Sequence, residues 1–511
     1  MNQAIKVTPM TIAQLLPSVD VPACVSKTPI LGLSINSQLI QNGYIFVAMK
    51  GAHTHGREYI SDAVQRGAVA LLIDSTDNIS SENCSIPVIL ITELELSLSE
   101  IAGRFYGCPT RAIPVVGVTG TNGKTTCSQL YAQLNALLGL HSGVVGTLGY
   151  GSCSPKWHEK YKTYFNLTST GMTTPDAITM QSICAELVND GNSNVVMEVS
   201  SHGLAQGRIA AIDINTAVFT NLSHDHLDYH ESMENYGAAK AKLFQLPSVQ
   251  SAVINIDDPF SAHLLSVVSQ SVTVVEYSVH NIQANIYLSD IDIRSGNTHA
   301  VLNTPEGCYP FSTTLIGDFN LSNLLAVVSI AYLDGKNLLE LTKHIPFLVN
   351  VSGRMENIDN KLNKKVIVDY AHTPDALENV LVSAKKHSLG QLWCVFGCGG
   401  DRDKNKRPVM ATIADKYADS IVITSDNPRT ENPGVIIDDI TQGFVMKTPT
   451  VIPDREAAIH FAISESKEND TIIIAGKGHE NFQLIGDQKY TFSDQKVAAL
   501  AIRTLEGEAH D

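Results

Sequence analysis

Gly117-Val118-Thr119-Gly120-Thr121-Asn122-Gly123-Lys124-Thr125-Thr126 is the stretch that decides how the rest of this chain is read. Before it, Pro114 to Val118 has the composition of a short buried strand. After it, Cys127 to Leu138 carries apolar residues at helical spacing, so the glycines fall on a strand-to-helix turn. Such a turn suits a polyphosphate: glycines let backbone amides approach the anion, the helix N-terminus adds partial positive charge, and Lys124 supplies a mobile cation. Gly120, Thr121, Asn122, Gly123, Lys124, Thr125 and Thr126 are the candidate nucleotide cradle, with the Thr125 hydroxyl available to Mg2+. The loop is a variant of the common phosphate-binding pattern, which would place glycine at 118, where this chain has Val118.

Working outward, apolar runs repeat in a βα rhythm. Residues 45–48, 70–73 and 88–91 read as strands before Cys108-Pro109-Thr110-Arg111-Ala112-Ile113-Pro114 interrupts the pattern. Strands are expected again at 195–199, 217–221 and 251–255, giving a parallel central sheet, and a third series follows Ile345-Pro346 at 365–369, 392–397, 420–424 and 471–476. A chain of 511 residues is too long for one core. The expected architecture is α/β in three domains: a mixed α/β domain over 1–111, a central phosphate-loop domain over 112–346 and a Rossmann-like domain over 347–511, with 345–353 as the hinge.

Polar residues cluster where these strands end, and open parallel sheets place ligands there. The exits read Ser200-Ser201-His202, Asn221 to Asp228, Asp369-Tyr370-Ala371-His372, Gly397 to Asp403, Ser425 to Arg429 and Gly476 to Glu480. A formal net charge of -16 argues against a nucleic acid or an anionic membrane surface as partner. Nine cysteines without CxxC pairs suggest neither a disulfide framework nor a zinc site. With no export signal and no apolar stretch of ~20 residues, a cytoplasmic, monomeric protein is expected.

Nine motifs in register extend the reading across nearly the whole chain: GTNGKTT at 120–126, MEVSSHGL at 197–204, NLSHDHLDYH at 221–230, AAK at 238–240, GDFNLSN at 317–323, GRME at 353–356, DYAHTPD at 369–375, GCGGDRDKNKRP at 397–408 and DNPR at 426–429. In this order they resemble the Mur ligase family, the ATP-dependent amide-bond synthetases of peptidoglycan assembly. Within it they are most similar to the members that join meso-2,6-diaminopimelate to UDP-N-acetylmuramoyl-L-alanyl-D-glutamate. The resemblance implies ATP and Mg2+ as cofactors, and activation of the substrate carboxylate as an acyl phosphate that the incoming amine attacks.

It also implies roles, residue by residue. Lys124 and Mg2+ stabilise the charge on the transferring phosphoryl group. Glu198 and His226 match metal-binding positions, and Lys240 matches a lysine that the family carbamoylates so that it supports a second metal. Taken alone, His226 reads as a structural histidine bonded to Asp225 or Asp228, and Lys240 as a solvated helix lysine like Lys242. Asn323, Arg354 and Asp369 match contacts to the ATP base and ribose. Thr173, Thr174, Ser200, Gln206 and Arg208 match positions around the phosphates and D-glutamyl part of the UDP substrate. Ser37 and His53 are the candidates nearest uridine, although Asn36-Ser37-Gln38 departs from the usual Asp-Ser-Arg. Arg402, Asp426, Asn427, Pro428, Arg429, Gly476 and Glu480 match the diaminopimelate site, where Arg429 would grip the distal carboxylate and Glu480 the distal ammonium. The alternatives are the same ligation with L-lysine, a D-alanyl-D-alanine-adding ligase, a folylpolyglutamate synthase-like ligase, or a nucleotide switch without ligase activity.

Overall fold

Runs of Val, Ile and Leu separated by Gly- and Asp-rich turns form parallel strands here, buried on both faces, which is why they lack polar alternation. The structure is a computed structural model that describes residues 9–51, 54–77, 84–156, 165–294 and 297–507. Among these the strands gather into three larger sheets and two short two-stranded ladders. The first sheet is parallel and pairs its strands in chain order: β1 (Gly32–Ser34), β2 (Tyr44–Ala48), β3 (Ala70–Asp74) and β4 (Val88–Ile91).

The second sheet has ten strands: β5 (Val115–Thr119), β6 (Ser142–Gly146), β7 (Gly149–Cys153), β8 (Asn194–Glu198), β9 (Thr216–Phe219), β10 (Ser251–Asn255), β11 (Thr273–Ser278), β12 (Ile286–Arg294), β13 (Asn297–Thr304) and β14 (Gly307–Thr313). Their order is β14-β13-β12-β11-β10-β9-β5-β8-β6-β7. The expected all-parallel sheet is corrected at both edges, since β6–β7 and β12–β13–β14 pair antiparallel. Around β5 the order reverses, with β8 on one side and β9 on the other. Such a reversal opens a crevice at the strand ends. Side chains of β5 alternate faces: Val116 and Val118 join the core under the helices Lys124–Leu137 and Asp318–Leu333, while Val115 packs with Met197, Ile214 and Leu243 on the other face. Each fully buried aliphatic side chain contributes about 1.5–3 kcal/mol, so packing fixes the sheet.

The third sheet contains β15 (Glu356–Ile358), β16 (Lys365–Asp369), β17 (Leu392–Phe396), β18 (Ser420–Ile423), β19 (Thr450–Val451) and β20 (Thr471–Ala475), in the order β15-β16-β20-β17-β18-β19. Only β15 runs antiparallel. Because β20 lies between β16 and β17, the Gly476–Glu480 exit stands beside Asp369–His372 and near the Gly397 loop. A hairpin, β21 (Phe482–Ile485) with β22 (Gln488–Thr491), follows that exit.

Candidate active site

The phosphate-type loop leaves β5 at the order reversal and enters the helix Lys124–Leu137, which begins three residues earlier than the apolar spacing indicates. Gly123 is the N-cap at φ +88°, without a side-chain cap bond, so the cap residue leaves the helix's leading amides open. A Cβ at Gly120 would strike the Thr220 hydroxyl and one at Gly123 the Asn323 amide oxygen, which explains glycine at both places. Neighbouring strand exits brace the loop: the Thr121 amide donates to Asn221 O (2.9 Å), Asn122 N to Asn221 Oδ1 (2.8 Å), and the Thr220 hydroxyl to Asn122 O (2.6 Å). Lys124 Nζ bonds the carbonyls of Gly120 and Thr121 at 2.8 Å each. Burial lowers its pKa, opposed by Glu198 and Asp225. Thr125 and Thr126 are buried in the first turn of the helix, and Asn323 on the helix Asp318–Leu333 faces Cys127 behind the loop.

Glu198 ends β8 with 1% exposure. Its carboxylate accepts from Thr125 Oγ1 (2.9 Å), Thr147 N (2.9 Å) and Thr147 Oγ1 (2.9 Å). Thr147 also meets the Thr173 hydroxyl at 3.0 Å, and Thr174 Oγ1 donates to Glu198 O at 2.9 Å. Among the described residues no cation lies within ion-pair reach of this buried carboxylate, and the donor set of hydroxyl and carboxylate oxygens is one that Mg2+ favours.

His226 and Lys240 lie near enough to Lys124 for its charge to act on both. His226 adopts φ +53° and turns its Nε2 to the Asp225 carboxylate at 3.4 Å, with its pKa lowered by burial and Asp225 opposing. Burial by itself would raise the Asp225 pKa, but His226, His372 and Lys124 leave it lowered. Lys240 is 1% exposed, with its ammonium 4.2 Å from the Tyr236 ring centroid. Burial, then the Lys124 charge, holds its pKa well below the ordinary lysine value. Lys242, two residues on, is exposed. Thr125 and Glu198 bond each other directly while His226 points to Asp225, and no group of three or more His, Cys, Asp or Glu side chains is gathered among the described residues.

Across from these, Asp369 caps the turn after β16, accepting from Met355 N (2.7 Å) and Ala371 N (2.8 Å), with burial raising its pKa against Arg354. The Arg354 guanidinium stacks 4.4 Å over Tyr370, whose ring also meets His372 and His479. Arg354 Nε and His479 Nδ1 are buried and have no hydrogen-bond partner among the described residues. Asn122 Nδ2 reaches Asp375 Oδ2 at 3.1 Å, tying the phosphate loop to the helix after β16. A cleft of about 1300 Å³ runs between Asp225–Asp228 and the exits of β16, β17, β18 and β20, and Arg402, Asp426, Asn427, Arg429, Gly476 and Glu480 all line it.

Asp426 and Asn427 are buried, so the Asp426–Arg429 segment is not an exposed turn. Asn427 donates to Glu480 Oε2 at 2.8 Å. Pro428 leads into Arg429, which sits at φ +51° and pairs with Ile485 of the hairpin. Its guanidinium bonds Gly400 O at 2.8 Å, and burial, followed by Arg402, lowers its pKa. Arg402 is exposed, and its guanidinium bonds Asp401 O at 3.2 Å. Neither guanidinium has an ion-pair partner among the described residues. A Cβ at Gly476 would approach Asp426 Oδ2 to 2.6 Å. Glu480, the candidate for the distal ammonium, already has a cation beside it, since Lys477 Nζ holds its Oε2 at 2.9 Å.

Three family descriptions match the chain: the Mur ligase family catalytic domain over 29–106, the Mur ligase middle domain over 118–331 and the Mur ligase glutamate ligase domain over 353–478. The UDP-N-acetylmuramoyl-L-alanyl-D-glutamate--2,6-diaminopimelate ligase of Ectopseudomonas mendocina is 44% identical over 98% of this chain and 99% of its own. The protein of that name from Coxiella burnetii is 41% identical over 96% and 99%. The chain belongs to the Mur ligase family. A solved structure of a ligase of the same name is 34% identical, with a TM-score of 0.69, covering 98% of this Mur ligase and 100% of that chain.

In this Mur ligase the residues assigned to the UDP substrate fall in two places. Thr173, Thr174, Ser200, Gln206 and Arg208 form one group: Arg208 Nη1 donates to Thr174 O (2.6 Å) and its Nε to Gln206 Oε1 (2.8 Å), and Gln206 reaches the Tyr229 hydroxyl. Ser200 caps the helix Ser201–Ala205 through Gly203 N at 3.1 Å. Ser37 is buried beside the first sheet, its hydroxyl bonded to Asp62. His53 lies outside the described residues. Sequence reasoning passed over Thr147, which a neighbouring strand exit brings to Glu198 and which no motif marks. It also passed over Tyr370, Lys477 and His479, all inside stretches already singled out as polar strand exits, whereas Asp225 stands where it was expected, beside His226. The Mur ligase motifs drew attention to their neighbours instead.

Proposed function

We propose that this Mur ligase joins meso-2,6-diaminopimelate to UDP-N-acetylmuramoyl-L-alanyl-D-glutamate, cleaving ATP to ADP and phosphate, as a cytoplasmic monomer of peptidoglycan precursor synthesis. The γ-phosphoryl group of ATP moves to the D-glutamyl carboxylate, the diaminopimelate amine attacks the acyl phosphate, and the tetrahedral intermediate expels phosphate. Lys124 exchanges its two loop carbonyls for phosphate oxygens, and the uncapped amides at the helix start receive the rest of the anion. Thr125 would hold a first Mg2+, and Glu198, His226 and carbamoylated Lys240 a second. Bound Mg2+ supplies charge neutralisation of the phosphates. Asn323, Arg354 and Asp369 face the ATP base and ribose, and the partnerless Arg354 Nε supports that assignment. Thr173, Thr174, Ser200, Gln206 and Arg208 orient the D-glutamyl arm, and Ser37 and His53 lie toward uridine.

The observation that carries the choice of amino acid is a pair of cleft-lining guanidiniums, Arg429 and Arg402, with no carboxylate paired to either among the described residues. A carboxylate on the distal carbon of diaminopimelate satisfies them, through the fork that only arginine offers. L-lysine has no such carboxylate and leaves them unpaired. Phosphate release should therefore require ATP, the UDP dipeptide substrate and diaminopimelate together. Release without the amino acid would contradict ligation, and release with D-alanyl-D-alanine in its place would contradict the substrate assignment.

A further inference from the structure

Lys477 is 0% exposed although it adjoins the cleft, and the steps above give it no part. Its Nζ bonds Asn427 Oδ1 at 3.0 Å and Glu480 Oε2 at 2.9 Å, with the Phe482 ring beyond. Asn427 Oδ1 also accepts Leu484 N at 2.9 Å, so its amide orientation is fixed and Nδ2 is left to face Glu480. Three anionic groups, Asp426, Glu480 and Asp401, act electrostatically on Arg429, yet none pairs with it. Glu480 has Lys477 as its ion-pair partner within 4 Å.

We propose that Lys477 is a positioning residue that holds Glu480 away from Arg429, and so keeps the Arg429 guanidinium open to the distal carboxylate of the incoming amino acid. A partly buried carboxylate deprived of its cation turns to the nearest other one. Glu480 acts electrostatically on two guanidiniums, Arg429 and Arg455. Arg455 is held by both oxygens of Asp494 at 2.7 Å, so Arg429 is the one left open to it, and an internal Glu480–Arg429 pair would displace the substrate carboxylate. Lys477 thereby acts on affinity for the amino acid through two neighbours, touching no reacting atom. This inference rests on the diaminopimelate reading, which wild-type activity with that amino acid tests separately.

The test is steady-state kinetics of the full chain carrying Lys477→Met, with Lys477→Arg and the pair Lys477→Met/Glu480→Gln alongside. Lys477→Met is expected to raise KM for diaminopimelate by ~10-fold or more, the scale of one lost charge-assisted hydrogen bond, with KM for ATP and for the UDP substrate within about twofold of wild type. Lys477→Arg restores most of the affinity. Adding Glu480→Gln to Lys477→Met is expected to cost less than Glu480→Gln costs in the wild type, because the capturing carboxylate is gone. Unchanged diaminopimelate KM in Lys477→Met, equal rises in all three KM values with a lowered melting temperature, or strictly additive effects in the pair would each overturn the proposal. Should Lys477→Met not fold, Lys477→Gln keeps a hydrogen-bond donor without the charge, and the same KM pattern is required of it.

Discussion

At the residue scale, Lys240 shows how far a local reading misleads. Its helix, Met233–Ala241, places it in a run of alanines and lysines that reads as solvated, yet tertiary packing buries Lys240 and leaves Lys242 in water. Only the family resemblance distinguished the two. A carbamate forms when a neutral amine attacks CO2 and loses a proton, and the lowered pKa of Lys240 makes that amine available. After CO2 is stripped from the protein, a constant concentration of dissolved CO2 should restore activity at a rate that rises with pH while Lys240 deprotonates. The rate should level off once pH passes the depressed pKa, below the range of an ordinary lysine. A rise continuing to pH ~10.4 would contradict the shift. Lys240→Ala should lose ~100-fold or more in kcat and recover partly with short carboxylic acids, whereas Lys242→Ala stays within about threefold. Lys124→Ala, folded by circular dichroism, should lose ~100- to 1000-fold in kcat, the scale of one preorganised donor at a developing charge. A variant ligating near the wild-type rate would remove Lys124 from phosphate binding.

At the scale of elements, strands were the most legible feature, because a strand buried on both faces is a continuous apolar run bounded by turn residues. The observed Val115–Thr119, Ser251–Asn255 and Lys365–Asp369 differ from the sequence expectation by one residue or none. The β6–β7 hairpin and the β12–β14 extension were missed because they are glycine-rich or half exposed and lack that run. The helix start was misplaced because the first turn, Lys124-Thr125-Thr126, is polar and is held by the loop rather than by an apolar stripe. The glycine geometry of that loop makes a further prediction. Gly123→Ala combines φ +88° with a clash against the Asn323 amide, so KM for ATP should rise ~10-fold or more while the chain stays folded. Wild-type KM for ATP in this variant would show that the loop tolerates a shift the geometry forbids.

At the scale of the molecule, the candidate site is split between the exits of two sheets, and Asn122–Asp375 is one of the contacts that join them. Gln133 on the phosphate-loop helix clasps Val349 through both amide atoms (3.2 and 3.0 Å), and Lys386 pairs with Asp318 at 2.8 Å. We place boundaries near residues 111 and 346, with the hinge at 345–353, and we expect the third sheet's module to swing toward the central one when ATP and the UDP substrate bind. Small-angle scattering should show a smaller radius of gyration with both ligands than with neither, and an unchanged radius would count against closure. The measurement that tests the central claim most directly is the mass of the product and kcat/KM with meso-2,6-diaminopimelate against L-lysine, for wild type and Arg429→Ala. A site built around an arginine needing a carboxylate predicts the diaminopimelate-containing tripeptide product and a preference of ~10^4, which Arg429→Ala largely abolishes by damaging diaminopimelate use. Comparable kcat/KM for the two amino acids in the wild type would contradict it.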